Sequence, residues 1–490
     1  MQSMLNAIKH RGDSAPNYKV VSNTILGSVR LKIVDIPNGE QPFYNENKTI
    51  SVVFNGEIYN YKVLKKQLEK LGHTFTSNCD TEVLVHLYEQ YKEKMLTMLD
   101  GMFAFVLFDT VTNNFLIARD RYGIKPLYYA EADNSIYVSS ELKSFAGIDT
   151  IDEYKELLPS HYMNNTGLNR YYSQNYAIDD SIDFDSALST IRDYVIDAVK
   201  KRIDTNLPIG MWLSGGIDSS IVFLIARQYH KDITPIVIGR DDSEDVKCAK
   251  FLCNEIKSSY IHINPSDKEI FDNIPNLIKC IETFESNPIR PSALTYFLAK
   301  ESNRLGLKIV LCGEGGDEIL GGYGDFLLPQ SDDEFQNLTS NFVENLYRTQ
   351  LLRIDKVGMA FKVEVREPFM DNRLVDYAVR LNPNYKVNQI DGKVLTKYIL
   401  RKAFQDILPQ EIYLRDKKTI MAGAGADSVE VAKGKFYENA QSKMDISLKH
   451  YKEHDLKNEE DIYYFSIYKD YYTKAKFNKD RVFSAKKEIQ

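Results

Sequence analysis

Apolar and polar positions divide the chain into two regimes. In the N-terminal third, short apolar runs bounded by turn residues predict strands at 49–54, 103–108, 115–118 and 136–138. Between them, segments 61–71 and 81–94 carry apolar residues at helical spacing. Strands with helices segregated around them predict an α+β layered domain. A polar stretch, 164–181, has the composition of a linker. From residue 184 the pattern changes to helix and strand in alternation: a helix at 185–203, a strand at 209–213, a second helix, a strand at 233–238 and a helix at 245–256. That alternation predicts a doubly wound parallel α/β domain, whose ligands sit at the carboxyl ends of its strands. Beyond residue 329 the pattern is mostly helical and ends in a lysine- and tyrosine-rich tail. The expected organisation is a first domain at 1–160, a linker at 161–183, a second domain at 184–430 and a helical tail at 431–490.

Composition narrows the function without naming it. A chain of 490 residues can bury two or three cores. Lysines are spread along it and the net charge is −7, which argues against nucleic acid or an anionic membrane as the main partner. No apolar run has the length of a membrane span, and the first residues carry no secretory signal. Five cysteines, Cys79, Cys248, Cys253, Cys280 and Cys312, lack metal-ligand spacing. They are expected to be reduced thiols in a cytoplasmic protein.

Two glycine-rich turns carry the chemistry. Leu213-Ser214-Gly215-Gly216-Ile217-Asp218-Ser219-Ser220 follows one apolar run, and Gly313-Glu314-Gly315-Gly316-Asp317-Glu318 follows Ile309-Val310-Leu311. Glycine lets the backbone approach a ligand, and a following helix N-terminus attracts anions. Asp218 and Asp317 stand where carboxylates could hold magnesium against phosphate oxygens. The first turn lacks the spacing of a Walker A loop. A plain strand–helix turn would also favour serine and glycine, but in the first turn both glycines and the aspartate fall into place together.

The first turn resembles the pyrophosphate loop of ATP pyrophosphatases, and later segments sharpen the likeness. Residues 313–323, GEGGDEILGGY, are similar to the GEGxDExxGGY signature of asparagine synthetases; Glu364–Asp371 is similar to EVRxPFLD, and Arg415-Asp416-Lys417 to the late R-x-K element. Upstream, 281–284 and 288–292 resemble the family's helix and "IRxS" segment. On these motifs the chain is identified as a member of the glutamine-dependent asparagine synthetases. The resemblance implies an N-terminal-nucleophile-type glutaminase domain followed by an ATP pyrophosphatase domain. It implies ATP-dependent conversion of aspartate to a β-aspartyl-adenylate and then asparagine, with AMP and pyrophosphate released. ATP and Mg²⁺ are the implied cofactors, and aspartate with glutamine or ammonia the small-molecule partners.

By resemblance, Glu314 and Lys417 are catalytic. Leu213, Ser214, Gly215, Gly216, Asp218, Ser219, Ser220, Ile238, Cys312 and Gly313 bind ATP or pyrophosphate, and Asp218 and Asp317 hold the metal. Arg290 and Lys393 are implied to bind substrate carboxylate or phosphate. Cys312 stands where serine is more usual, which a small thiol can fill without implying redox chemistry. Glu367 and Met370 vary the EVRxPFLD segment without touching its arginine.

The first half matches the family's glutaminase domain at 10–13, 30–35, 55–60, 80–82, 101–105, 119–127 and 140–141, with Asp13 departing from the usual Pro-Asp pair. Arg30 is implied to meet glutamine's α-carboxylate, Glu57 and Asp80 its ammonium group, and Asn55 with the Gly56 N–H the oxyanion. Such a site needs an N-terminal cysteine whose α-amine acts as base. The chain begins Met1-Gln2-Ser3-Met4, without the family's Met-Cys-Gly-Ile start, and Cys79 has no free α-amine. The polypeptide as written is therefore expected to depend on ammonia and to have an exposed sheet edge in its first domain. Either the natural protein starts earlier or it lacks glutaminase activity.

Two rival readings stand beside this one. β-Lactam synthetases and lasso-peptide cyclases resemble the family, lack the same cysteine and adenylate other carboxylates. A catalytically dead binding protein is the rival of another class. The sequence leaves the oligomeric state open, a homodimer included.

Overall fold

The structure, a computed structural model, describes residues 1–390, 392–427, 433–444, 456 and 458–472. The chain forms two compact units that divide at Gln174–Asn175. Among the described residues, no helix is long and apolar enough to cross a membrane.

The first unit is built on a six-stranded antiparallel sheet. Its spatial order is Gly167–Arg170, His161–Asn164, Asn114–Arg119, Gly101–Asp109, Ile50–Ile58 and Phe43–Tyr44. Strand period assigns its two faces. Phe103, Phe105 and Leu107 point into a core with Leu64 and Leu68 of helix Tyr61–Lys70 and Val83, Leu84 and Leu87 of helix Glu82–Tyr91. Their neighbour Ala104 faces the other way, with Ile117, Leu127, Tyr129, Leu157 and Met163. Tyr129 belongs to strand Tyr128–Ala132 at the centre of a three-stranded sheet, so helices cover one face and a second sheet the other. The layered α+β expectation therefore holds.

Two boundaries move. The predicted helix over 81–94 ends at Tyr91, because Lys92 takes a φ of +50° and the chain continues as a 3₁₀ turn. The predicted linker begins too early. His161–Asn164 and Gly167–Arg170 form a hairpin whose first strand pairs Tyr162 with Ala118 on the main sheet. Polar residues conceal it because it lies at the sheet's edge, where one strand side and face meet water.

The second unit holds five parallel strands in the order Ile261–Ile263, Ile233–Ile238, Ile209–Trp212, Ile309–Leu311, Glu364–Arg366. Helices Phe184–Arg202, Ile217–Tyr229, Glu244–Glu255 and Ser286–Arg304 alternate with the strands. Asp183 caps the first of these, accepting from the Ser186 N–H, and Lys200, Lys201 and Arg202 occupy its last turn. The fifth strand was not predicted: it is three residues long and two of them are charged, so it has no apolar signature. The predicted C-terminal tail is part of this unit where it is described. Helices Gly434–Lys443 and Glu459–Tyr471 bury Phe436, Ile462, Tyr464 and Phe465. The rest of 431–490 lies outside the described residues.

Candidate active site

Strand order reverses between Ile209–Trp212 and Ile309–Leu311, the two strands that run into the glycine-rich turns. A crevice at the carboxyl ends of the strands opens at such a reversal. In the first turn Gly215 has a φ of +69°, and a side-chain carbon there would lie 2.5 Å from the Ala249 nitrogen. Gly216 then leads into helix Ile217–Tyr229 in extended conformation. Ser214 Oγ and Ser219 Oγ lie 2.9 Å apart across this turn. The second turn is pressed against the first: a carbon on Gly313 would stand 2.8 Å from the Ser219 nitrogen, and one on Gly316 2.8 Å from Asp218 Oδ1. The glycines thus bring the two aspartates together.

Between those carboxylates sits Lys397, itself almost fully buried. Its Nζ pairs with Asp218 Oδ2 and lies 2.6 Å from Asp317 Oδ1. Lys417 Nζ lies 2.5 Å from Asp317 Oδ2. The cluster has two formal charges of each sign. Burial pushes the Asp317 carboxyl up, and Lys397 and Lys417 overcome it, holding the group below its ordinary value. At Asp218 burial wins over Lys397, with Asp317 adding to it, and the carboxyl is raised. Asp317 and Asp218 in turn outweigh the burial of Lys417 and hold its ammonium charged.

Among the described residues, Asp218 Oδ1 is buried without a hydrogen-bond partner, beside the bare Gly316. A hard oxygen donor so placed fits Mg²⁺, with Asp317 supplying the second carboxylate.

The cavity above this cluster has a volume of about 270 Å³. Leu213, Ser214, Gly216, Asp218, Ser219, Ile238, Cys312, Gly313, Glu314, Asp317, Arg290 and Lys417, all predicted, line it together with Trp212. Gly215 and Ser220 are not among the lining residues: Gly215 packs on the Asp245–Ala249 backbone and Ser220 is fully buried. Glu314 Oε1 receives Arg353 Nη2, and Arg353 Nη1 donates to Thr295 Oγ1 at 2.9 Å. Arg290 grips Glu460 with Nε at 2.9 Å and Nη2 at 2.5 Å, so helix Glu459–Tyr471 holds this lining side chain in place. The Cys312 thiol is driven well above its ordinary value by burial, with Glu367 and Glu314 adding to it.

Lys393 is corrected. It is half exposed, pairs with Asp416 at 2.8 Å and is not among the lining residues, because it stands on the hairpin Asn388–Ile390/Lys393–Leu395. The lysine of this stretch that lines the cavity is Lys397, four positions later. Its φ of +55° turns the chain inward just before helix Tyr398–Ala403. Arg353 and Lys397 were both missed, since isolated cations carry no periodic signal. Lys397 has a weak cue in its spacing from Lys393.

In the first unit, strand Ile50–Ile58 carries Asn55, Gly56 and Glu57. Asn55 Nδ2 is buried without a hydrogen-bond partner among the described residues, as an oxyanion donor would be before substrate enters. Gly56 has a φ of +142°, and a side chain there would strike Met102 O at 1.9 Å. Glu57 and Asp80 are buried, and Asp80 Oδ2 accepts from the Ile58 N–H at 2.9 Å. Arg30 is held by the adjoining loop. Its Nη1 donates to Ile36 O at 2.9 Å, and its Nη2 to Val34 O at 2.7 Å and Asp35 O at 2.9 Å, so it ties down that loop. Cys79 is a packing residue: burial and then Asp80 drive its thiol far up, away from nucleophilic use.

Known proteins resemble both units. Residues 1–188 match the family model described as a glutamine amidotransferase domain, and 190–339 and 327–456 match asparagine synthase. The chain is 34% identical over 479 residues to "Asparagine synthetase [glutamine-hydrolyzing]" of Sandersonia aurantiaca, covering 94% of this chain and 90% of that protein. It is 35% identical over 437 residues to the Arabidopsis thaliana protein "Asparagine synthetase [glutamine-hydrolyzing] 2", with coverages of 85% and 75%. A Dictyostelium discoideum protein, "Probable asparagine synthetase [glutamine-hydrolyzing]", is 34% identical over 473 residues, with coverages of 90% and 84%.

Proposed function

Because the chain belongs to the glutamine-hydrolysing asparagine synthetase family, we propose that it makes asparagine from aspartate at the expense of ATP, in the cytoplasm. The observation that carries this reading is the cluster of buried Asp218, Lys397 and Asp317 with Lys417 at its mouth, set between two glycine turns at the strand-order reversal with Glu314 beside it.

A carboxylate cannot acylate ammonia directly, because its leaving group would be oxide. An oxygen of the aspartate β-carboxylate attacks the α-phosphorus of ATP. The new O–P bond forms as the bond to the β-phosphate oxygen breaks, and pyrophosphate leaves. The Ser214 and Ser219 hydroxyls and the helix N-terminus at Gly216 offer donors to its oxygens. Mg²⁺ held by Asp218 and Asp317 would supply counter-charge to the phosphates. Lys417 stabilises the negative charge that grows on the phosphoryl oxygens during attack. Ammonia then attacks the acyl carbon, AMP departs, and Glu314 takes the proton lost by nitrogen. Arg353 fixes the direction of the Glu314 carboxylate. Asn55, Gly56, Glu57 and Asp80 support glutamine as a source of that ammonia.

The test is pyrophosphate release with ATP, Mg²⁺ and aspartate, using ammonium or glutamine as donor and identifying the amino-acid product. Asparagine formed with ammonium, and a loss of about 100-fold in Asp218→Asn, is the expected result. A folded chain that releases no pyrophosphate with either donor would overturn the proposal.

A further inference from the structure

A second group of metal-ligating side chains lies in the first unit and plays no part in the chemistry above. Glu46 stands on the turn between strands Phe43–Tyr44 and Ile50–Ile58, and His73 follows helix Tyr61–Lys70. His86 and Glu89 lie three residues apart on helix Glu82–Tyr91, hence on one face. One ligand atom from each of the four falls within 4.8 Å of all the others. Glu46 is central: its Oε1 lies 3.0 Å from His73 Nδ1 and its Oε2 3.3 Å from His86 Nδ1.

His86 is the informative member. It is fully buried, yet among the described residues neither ring nitrogen makes a hydrogen bond. A buried imidazole without partners is costly. Glu82 does not relieve it. Its Oε1 is 3.9 Å from His86 Nε2, and its carboxylate already accepts from the Thr76 and Ser77 N–H groups and from both hydroxyls, at 2.5–2.8 Å. With Nε2–H turned to Glu82, the Nδ1 lone pair would face the Glu46 carboxylate, acceptor against acceptor. A cation between them removes that conflict.

The surroundings are those of a held ligand set. His73 Nε2 lies 2.8 Å from the Gln90 side-chain amide, and Asn45 Nδ2 donates to Glu89 Oε2 at 3.0 Å. The Thr74 N–H donates to Glu46 Oε1 at 2.9 Å. Outer partners of this kind fix ring orientation and tautomer in metal sites. Two imidazoles with two carboxylates suit a zinc-class ion. Mg²⁺ and Ca²⁺ prefer an all-oxygen shell. Tetrahedral zinc keeps its ligands about 3.4 Å apart, so contraction of about an ångström completes the site.

We propose that Glu46, His73, His86 and Glu89 form a structural binding site for a divalent transition-metal ion, zinc first among them. The ion staples three separate segments: the turn at 45–49, the chain at 71–76 and helix Glu82–Tyr91. That helix follows directly on Asp80 and Thr81, so the staple lies next to the predicted glutamine pocket without belonging to it.

The test is a Zn²⁺ titration of the full chain, stripped with chelator and competed against a chromophoric chelator. One Zn²⁺ per chain with Kd of about 1 μM or tighter is expected, together with a rise in Tm that chelator reverses. His73→Gln and Glu89→Gln should each weaken binding about tenfold or more. Co²⁺ in place of Zn²⁺ should give the intense d–d absorption of a tetrahedral centre, lost in both variants. Glu89 is only half-buried, so Glu89→Gln decides the matter if His73→Gln does not fold. Absence of saturable binding, or binding that Glu89→Gln leaves unchanged, overturns the site.

Discussion

Lys397→Met is the sharpest perturbation of the nucleotide site. The lysine serves two buried carboxylates, and its removal takes the cluster from charge balance to a net −1. Lys417 still covers Asp317 at 2.5 Å, so the uncompensated group is Asp218, whose Oδ1 already has no partner. Breaking a buried ion pair from one side costs about 3–5 kcal/mol. For a unit of this size that is a fall in Tm of roughly 10 °C. The sign of the pH dependence follows from Asp218, whose carboxyl burial already raises above the ordinary 3.8. Without Lys397 it rises further, and folding then favours the protonated form. Stability is therefore present in acid and lost as pH rises through the raised value, so the gap from wild type is widest above that value. Pyrophosphate release should fall about 100-fold or more, since the two carboxylates that would hold Mg²⁺ against the phosphates lose the cation that fixes them. Arginine is no remedy, because a carbon on Gly322 would already touch Lys397 Cε at 2.3 Å and there is no space for a fork. Scanning calorimetry across pH and a coupled pyrophosphate assay give both readouts. A Lys397→Met chain with wild-type Tm at all pH values and activity within about threefold would refute this electrostatic account.

Gly322→Ala would put its new carbon 2.0 Å from Asp317 Oδ1; kcat for pyrophosphate release should drop about tenfold or more while circular dichroism stays near wild type. Arg353→Leu frees the Glu314 carboxylate to swing, so kcat should fall about tenfold with the KM for ATP nearly unchanged. Lys386 is fully buried with Val379 O as its acceptor, and burial lowers its ammonium to about 7. The unfolded chain holds that proton up to the ordinary 10.5, so stability rises with pH between the two values. Lys386→Met should therefore be the more stable chain near neutral pH, by several kcal/mol at most (about 3–5), with the advantage shrinking towards alkaline pH in urea titrations.

What the sequence disclosed followed from repetition and punctuation. Strands such as Ile50–Ile58 and Gly101–Asp109 have long apolar runs, and the glycine turns announce themselves because no other residue fits them. The hairpin at 161–170 and the strand Glu364–Arg366 were hidden by polar side chains, each at the edge of its own sheet, and in the second Arg366 pairs with Glu364. Lys397, Arg353 and Glu460 were hidden for a different reason. Their meaning is a position in space relative to residues far away in sequence, and local pattern holds no trace of it. Arg30 shows the converse: its segment matches the family, while its guanidinium is engaged by three backbone carbonyls.

Trp212 is the only tryptophan in the chain, and it lies on the cavity wall with its indole N–H donating to Ser302 Oγ at 3.1 Å. All of the indole emission of this protein thus originates at the nucleotide crevice. Its wavelength and yield follow the local polarity there, so adenine entering the crevice would change the signal without a label. The first unit, which has no tryptophan, is silent in the same measurement. One cuvette can therefore separate events at the crevice from events in the glutamine-binding unit, and the Zn²⁺ titration proposed above should leave this emission unmoved.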